Sequence, residues 1–226
     1  MSRNIVVLIP ALDADRTLEA VVRAVRSALP AAMVLVVDDG SADATRRIAR
    51  ETADVILAFD SNRGKGAALR EGAKHALSTG ADVVVTLDAD GQHDPAAAPR
   101  LVDALDGADI AIGTRARSGT AMPVRRRITN ALASAAVGAI AGARVADSQS
   151  GFRAMRRRVL EEICPLGDRY EYETDLLLRA AHAGFRITAV PVTTVYEAGA
   201  SSHFRGVSDT LRVVRTIWRH RTGAFR

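Results

Sequence analysis

An α/β architecture, a mostly parallel and doubly wound sheet with helices on both faces, is what these 226 residues predict. Three observations point there. Short unbroken runs rich in Val and Ile recur along the chain, as strands buried on both faces require. Helix-like stretches separate them at the spacing of βαβ units. Carboxylates and glycines gather just after the runs, where such sheets bind their ligands.

The elements follow in order. Residues 5–9, 34–37, 55–59 and 83–87 read as buried strands. Between them, 17–29 places Leu18, Val21, Val22, Val25 and Leu29 on one helical face, 44–51 is short and charged, and 67–77 is Ala-rich. A helix over 97–105 and a strand over 110–113 complete this half. Residues 115–124 carry Gly, Ser, Thr and Pro without periodicity and read as a loop. A small-residue helix over 128–140 follows, then the 147–155 stretch, a helix over 175–183, a strand over 187–190 and a helical tail over 208–220. One domain over 1–226 is expected. Within it, a boundary near residue 115 separates two halves, 1–115 and 116–226, the second ending in an amphipathic helix.

Composition removes whole classes. Nearly half the residues are apolar and a quarter charged, which excludes disordered, collagen-like and disulfide-scaffold chains. The lone cysteine, Cys164, has no internal partner and suits a reducing cytoplasm. No targeting or membrane-spanning segment is legible, because the 5–9 run is short and meets Pro10 at once, and 131–143 is too short to span a bilayer. The net charge of +5 favours anionic partners weakly. It does not argue for nucleic acid, since aromatic residues make up only 4% of the chain, acids are interleaved throughout, and no recognised binding motif occurs.

The chemistry sits at the strand ends. The run 34–37 ends in Asp38-Asp39-Gly40-Ser41, and 83–87 ends in Asp88-Ala89-Asp90-Gly91-Gln92-His93. In extended chain Asp88, Asp90 and Gln92 point the same way. Three such oxygens form half of a site for Mg²⁺ or Mn²⁺, to be completed by water and phosphate oxygens. The same residues also suit an N-cap and turn. Asn62-Arg63-Gly64-Lys65-Gly66 opens a helix, so Gly64 and Lys65 are candidates for a phosphate or ribose cradle, or else a tight turn with solvated charges.

Five segments in order carry a resemblance: Ile9-Pro10-Ala11-Leu12, Val36-Val37-Asp38-Asp39-Gly40-Ser41, Asn62-Arg63-Gly64-Lys65-Gly66, Asp88-Ala89-Asp90-Gly91-Gln92-His93 and Asp147-Ser148-Gln149-Ser150-Gly151-Phe152-Arg153. Over roughly residues 4–206 the chain resembles the family 2 glycosyltransferases of GT-A fold. The branch it resembles most comprises the dolichyl- and polyprenyl-phosphate mannosyl- and glucosyltransferases. The resemblance implies inverting transfer of a hexose from a nucleoside-diphosphate sugar such as GDP-mannose or UDP-glucose. It implies that Pro10, Ala11, Leu12, Val37, Asp38 and Asp39 line the nucleotide pocket. Asp88 would hold ribose or metal with Ala89 beside it, Asp90 and Gln92 would coordinate the ion, and Arg115 would contact substrate. The family also carries a carboxylate near Glu173-Thr174-Asp175. Asp175 is the candidate general base for a hydroxyl acceptor and Glu173 its neighbour, whereas a phosphate acceptor needs no strong base. Asp175 alternatively serves as helix N-terminal charge.

Departures from that branch concern the acceptor. Thr194 stands where a basic residue is usual, and His203 or Arg205 must serve for a lysine in gripping the diphosphate. Arg125-Arg126-Arg127 with Asn130 could hold an acceptor phosphate or form a solvated face. In the tail, Leu211, Val214 and Trp218 share one helical face and Arg212, Arg215 and Arg219 another. Such a helix either lies on an anionic bilayer or, more commonly, docks on the protein by its apolar stripe. His75, His182 and His220 show no metal-ligand spacing and read as incidental. The expectation is a metal-dependent hexosyltransferase acting on polyprenyl phosphate at the cytoplasmic membrane face, with no nucleic-acid partner. The alternatives are a same-fold transferase acting on a hydroxyl of a soluble acceptor or glycan, a nucleotide-sugar-binding protein without catalysis and, more distantly, a basic nucleic-acid-binding module.

Overall fold

In the computed structural model of the chain, which describes residues 3–115, 134–135, 138–139, 147, 149–169, 171–193 and 206–221, seven strands form one sheet in the order β3-β2-β1-β4-β6-β5-β7. The strands are β1 (Ile5–Ala11), β2 (Met33–Asp38), β3 (Val55–Ala58), β4 (Val83–Thr86), β5 (Ile110–Arg115), β6 (Arg153–Arg156) and β7 (Ile187–Val192). Neighbours from β3 through β4 pair in parallel, as do β5 and β7; β6 runs antiparallel to both β4 and β5. The mostly parallel, doubly wound sheet is therefore observed. The antiparallel strand falls in the 147–155 stretch, where the sequence suggested no element.

Alternation along each strand sorts the core into two layers. On one face Val7, Ile9 and Ala11 of β1, Val34 and Val36 of β2, and Val85 of β4 meet α1 (Leu18–Ala28), α2 (Thr45–Thr52) and α4 (Ala98–Ala104). On the other, Val6, Leu8, Leu35, Val37 and Val84 meet α3 (Lys65–Ser78), α5 (Arg157–Glu162) and α6 (Glu171–His182). Period-two strands with apolar residues at every position need helices on both sides. A last helix, α7 (Gly206–Arg221), packs beside α6.

Two element starts differ from expectation. Helix α3 begins at Lys65 because Gly64, at φ +99°, makes the N-cap turn that an L side chain would strain. Helix α6 begins at Glu171, not Asp175. Asp175 is thus in the helix interior, and the helix N-terminal role for its charge does not hold.

The sheet has a switch point. From β1 the chain crosses to β2 and β3 on one side, then returns to β4 on the other. β1 and β4 pair only from Ile5↔Val83 to Leu8↔Thr86, so their carboxyl ends diverge beyond that register. Pro10, which lacks an N–H, lies in this open stretch. Doubly wound sheets bind ligands in such a crevice.

Candidate active site

Three segments converge at the crevice. Lys65, at the start of α3, places Nζ 2.6 Å from Asp88 Oδ1 and 2.9 Å from Glu173 Oε1. Asp88 follows β4, and Glu173 lies on the first turn of α6, so one ammonium joins both halves of the chain. Glu173 is buried, and its Oε2 has no hydrogen-bond partner among the described residues. Behind it Arg153 of β6 is buried, donating to the carbonyls of Ser150 (2.8 Å) and Glu173 (3.0 Å). Burial pushes the Arg153 guanidinium below its ordinary value, while the charges of Glu173, Asp147 and Asp88 pull it back up. Arg153 closes the Asp147–Arg153 motif, but nothing in a single sequence marks it as a buried cation.

The loop after β4 is shaped by its neighbours. Thr86 Oγ1 donates to the Gly151 carbonyl at 2.7 Å, drawing the 149–152 segment against the strand. A Cβ on Gly151 would lie 2.5 Å from Asp88 Oδ2, so the glycine is what lets this loop close on Asp88. Asp90 accepts the Gln92 N–H at 3.0 Å, and Gly91 has φ +71°, which makes a tight turn. His93 is buried with its ring 5.6 Å from Phe152. Ala89 is buried and its carbonyl accepts Thr17 Oγ1 at 2.7 Å.

Among the described residues no three His, Cys, Asp or Glu side chains are gathered as a metal-binding group. Asp88, Asp90 and Gln92 nevertheless lie on one short loop, and carboxylate and carboxamide oxygens are the hard donors that Mg²⁺ or Mn²⁺ takes. A partial set suits an ion that completes its shell with substrate oxygens. The donor chemistry fits.

Several expected pocket residues carry structural contacts of their own. Asp38 is fully buried and ion-paired with Arg46 Nε at 2.7 Å, and it also accepts the Ser41 N–H at 3.1 Å. It fastens the β2–α2 turn. Val37 and Ala11 are core residues on opposite faces of the sheet, and Pro10 is buried, whereas Leu12 is partly exposed. Asp39 is buried and accepts the N–H groups of Arg63 (2.7 Å) and Gly64 (2.9 Å). Burial pushes its carboxyl above the usual range, against the pull of those two donors and of Arg169. The two acids do not repel each other unrelieved; each has its own donors.

The phosphate cradle expected at α3 is closed. The N–H groups of Gly66 (2.8 Å) and Ala67 (3.3 Å) donate to the Asp168 carbonyl, which caps the helix. A Cβ on Gly64 would meet that same oxygen at 2.2 Å. The glycines admit the 163–169 loop, not an anion, and Arg70 holds that loop through the carbonyls of Pro165 and Gly167 and the Asp168 carboxylate. Lys65 remains at the site through its side chain.

The two α6 acids part company. Two residues on a helix are ~200° apart, so Glu173 and Asp175 face opposite ways. Asp175 Oδ2 accepts Leu166 N and Arg179 Nε, each at 2.7 Å, and Oδ1 lies 2.7 Å from His220 Nε2 on α7. Asp175 is occupied as a structural hub, and a general-base role for it is not supported by this geometry. His220, which reads as incidental in the sequence, is buried and ties the tail to Asp175, with the His182 ring 5.4 Å away and tilted by 34°. Arg115 contributes backbone to β5. Arg126, Arg127, Asn130, His203 and Arg205 lie outside the described residues.

Residues 6–164 match the family model described as glycosyl transferase family 2. The chain belongs to that family. It is a glycosyltransferase. This family 2 glycosyltransferase is 36% identical over 214 residues to polyprenol monophosphomannose synthase of Mycolicibacterium smegmatis, covering 88% of this chain and 81% of that protein. It is 32% identical to undecaprenyl-phosphate mannosyltransferase of Micrococcus luteus, covering 95% and 93%. Among solved structures it is similar to glucosyl-3-phosphoglycerate synthase from Mycobacterium tuberculosis in complex with Mn²⁺, UDP and phosphoglyceric acid. The TM-score is 0.77 at 23% identity, over 97% of this chain and 78% of that one. The shared architecture is the GT-A fold.

Proposed function

We propose that this glycosyltransferase moves a hexose, with inversion, from a nucleoside-diphosphate sugar to a polyprenyl phosphate. The observation that carries the reading is Lys65, held between Asp88 and Glu173 at the switch-point crevice. A lysine ammonium flanked by acids beside a hard-donor loop suits a diphosphate whose negative charge grows as its bond to the anomeric carbon breaks. Asp90 and Gln92, with Asp88, would hold Mg²⁺ or Mn²⁺, which supplies further neutralisation of that charge when bound. Leu12 and Asp39 would border the nucleoside. Asp38 would act at one remove, by fixing the turn that carries Asp39.

The acceptor follows from two supports. The relatives named above act, by their names, on polyprenol and undecaprenyl phosphate. Asp175, the acid suggested for proton abstraction, is taken up by Leu166, Arg179 and His220. A phosphate oxygen is already anionic at neutral pH and attacks without losing a proton. It forms the new bond to the anomeric carbon as the diphosphate oxygen leaves from the opposite face. Arg126, Arg127 and Asn130 remain candidates for holding that phosphate, and Arg115, His203 and Arg205 for contacting the donor.

The test is direct. The protein is incubated with a panel of nucleotide sugars, Mn²⁺ and a short-chain polyprenyl phosphate. A lipid-linked hexose phosphate is expected with one donor, and its formation should cease in excess EDTA and in Asp90→Ala. Transfer only to soluble hydroxyl acceptors would replace the lipid phosphate in this reading, and full activity in EDTA would remove the metal.

A further inference from the structure

Among the described residues, the large apolar side chains left exposed are Leu166 (58%), Val214 (47%) and Trp218 (63%). Two are on α7, and the third is in the loop whose N–H is bonded to Asp175, the residue that also holds α7. Exposed apolar surface is thus concentrated around one helix instead of being scattered, and concentration is what marks an interaction surface.

The wheel of α7 sharpens this. At ~100° per residue, Val214 and Trp218 lie on one strip, Arg215, Arg219 and Arg212 on the next, and Thr216 and His220 on the far side. Thr216 and His220 are buried, and Ile217 packs against the core. The helix therefore docks through Thr216, Ile217 and His220, not through the Val214–Trp218 stripe. The stripe and the three exposed arginines face outward together. Arg212 also reaches Glu171 Oε1 at 3.5 Å, at the margin between helix and protein.

We propose that α7 is a docking surface for an anionic lipid bilayer, with Trp218 and Val214 entering the interfacial region and Arg215 and Arg219 meeting lipid headgroups. An indole beside aliphatic and guanidinium groups is the composition that partitions to such an interface. A second copy of this chain fits poorly. Two arginine-rich faces brought together would repel, and the chain's formal charge is +5. The proposal builds on the lipid-phosphate reading but makes its own demand, since binding requires neither donor nor acceptor.

Trp218 is the chain's one tryptophan, so its emission reports on this surface without a label. The protein alone is mixed with vesicles of phosphatidylcholine, or of phosphatidylcholine with phosphatidylglycerol, and fluorescence and co-sedimentation are followed. A blue shift with phosphatidylglycerol and little with phosphatidylcholine is expected, as is quenching by brominated acyl chains. Arg215→Gln with Arg219→Gln, and separately Val214→Ser, should each weaken partitioning by about tenfold. Transfer to a water-soluble short-chain acceptor should be unchanged in Val214→Ser, which separates failure at this surface from failure of the acceptor assignment. No shift with either vesicle, equal shifts with both, or a shift that grows with protein concentration in buffer alone would each overturn the proposal.

Discussion

Glu173 and Asp175 show how much one residue's orientation decides. Both are buried acids on α6, yet Glu173 touches the Lys65 ammonium, and Asp175 is surrounded by Leu166 N–H, Arg179 and His220. Glu173→Gln is expected to lower turnover at least tenfold with a small change in melting temperature, because Lys65 loses the carboxylate that holds it in place. Asp175→Asn is expected to do the opposite. Transfer to a polyprenyl phosphate should stay within a few-fold of the parent, while stability falls by ~1.5–3 kcal/mol for the weakened charged hydrogen bonds. Steady-state kinetics beside chemical denaturation separates the two, and a collapse of turnover in a folded Asp175→Asn enzyme would restore the base. In sequence the acids are two apart and look interchangeable. Only the helix start at Glu171, four residues earlier than the pattern suggested, assigns them to different faces.

Elements were legible where one physical signal dominated. The parallel strands announce themselves because burial on both faces demands unbroken Val and Ile. β6 does not, since its sequence is Arg-Ala-Met-Arg. Its two arginines are tolerated because Arg153 donates to the carbonyls of Ser150 and Glu173, and Arg156 to those of Leu105 and Ala108. Except for Ser150, three residues away, those partners are distant in sequence, so no local pattern encodes them. The α7 tail was legible as an amphipathic helix, but not which side would dock, because His220 docks as a polar residue on Asp175. That contact gives α7 a pH dependence. Burial pushes the His220 imidazole below its ordinary value, and His182 and Arg179 add to the fall, against the pull of Asp175. A depressed histidine favours the docked helix while neutral, so this contribution is present above about pH 6.5 and is lost as pH falls through the folded-state value. The protection of α7 amides, corrected for the intrinsic slowing of exchange in acid, should therefore fall on acidification from pH 7 towards 5 more than that of α3 amides. In His220→Gln the acid dependence should shrink; an unchanged profile would assign it elsewhere.

At the scale of the whole molecule, the site exists because the two halves of the chain meet across the β4–β6 pairing. The loop carrying Asp88 comes from the first half, and the glycine against it from the second. Two glycines distinguish this junction from the core beneath it. A methyl group on Gly151 would fall within 2.7 Å of the Asp88 carboxylate, whose flexible end can swing aside at little cost to the fold. One on Gly72 of α3 would fall 2.2 Å from Leu8 Cδ1, in the layer between helix and sheet. Gly151→Ala is therefore expected to cut turnover by ~10²-fold, the scale of a misplaced catalytic group, with a small loss of stability. Gly72→Ala should cost ~1–3 kcal/mol of stability through overpacking and leave the turnover of the folded fraction near normal. Measuring both quantities in both variants gives a crossed result if the Asp88 loop is set by the second half of the chain. Parallel losses of stability and turnover in Gly151→Ala would mean that this glycine supports the sheet and does not set the Asp88 loop.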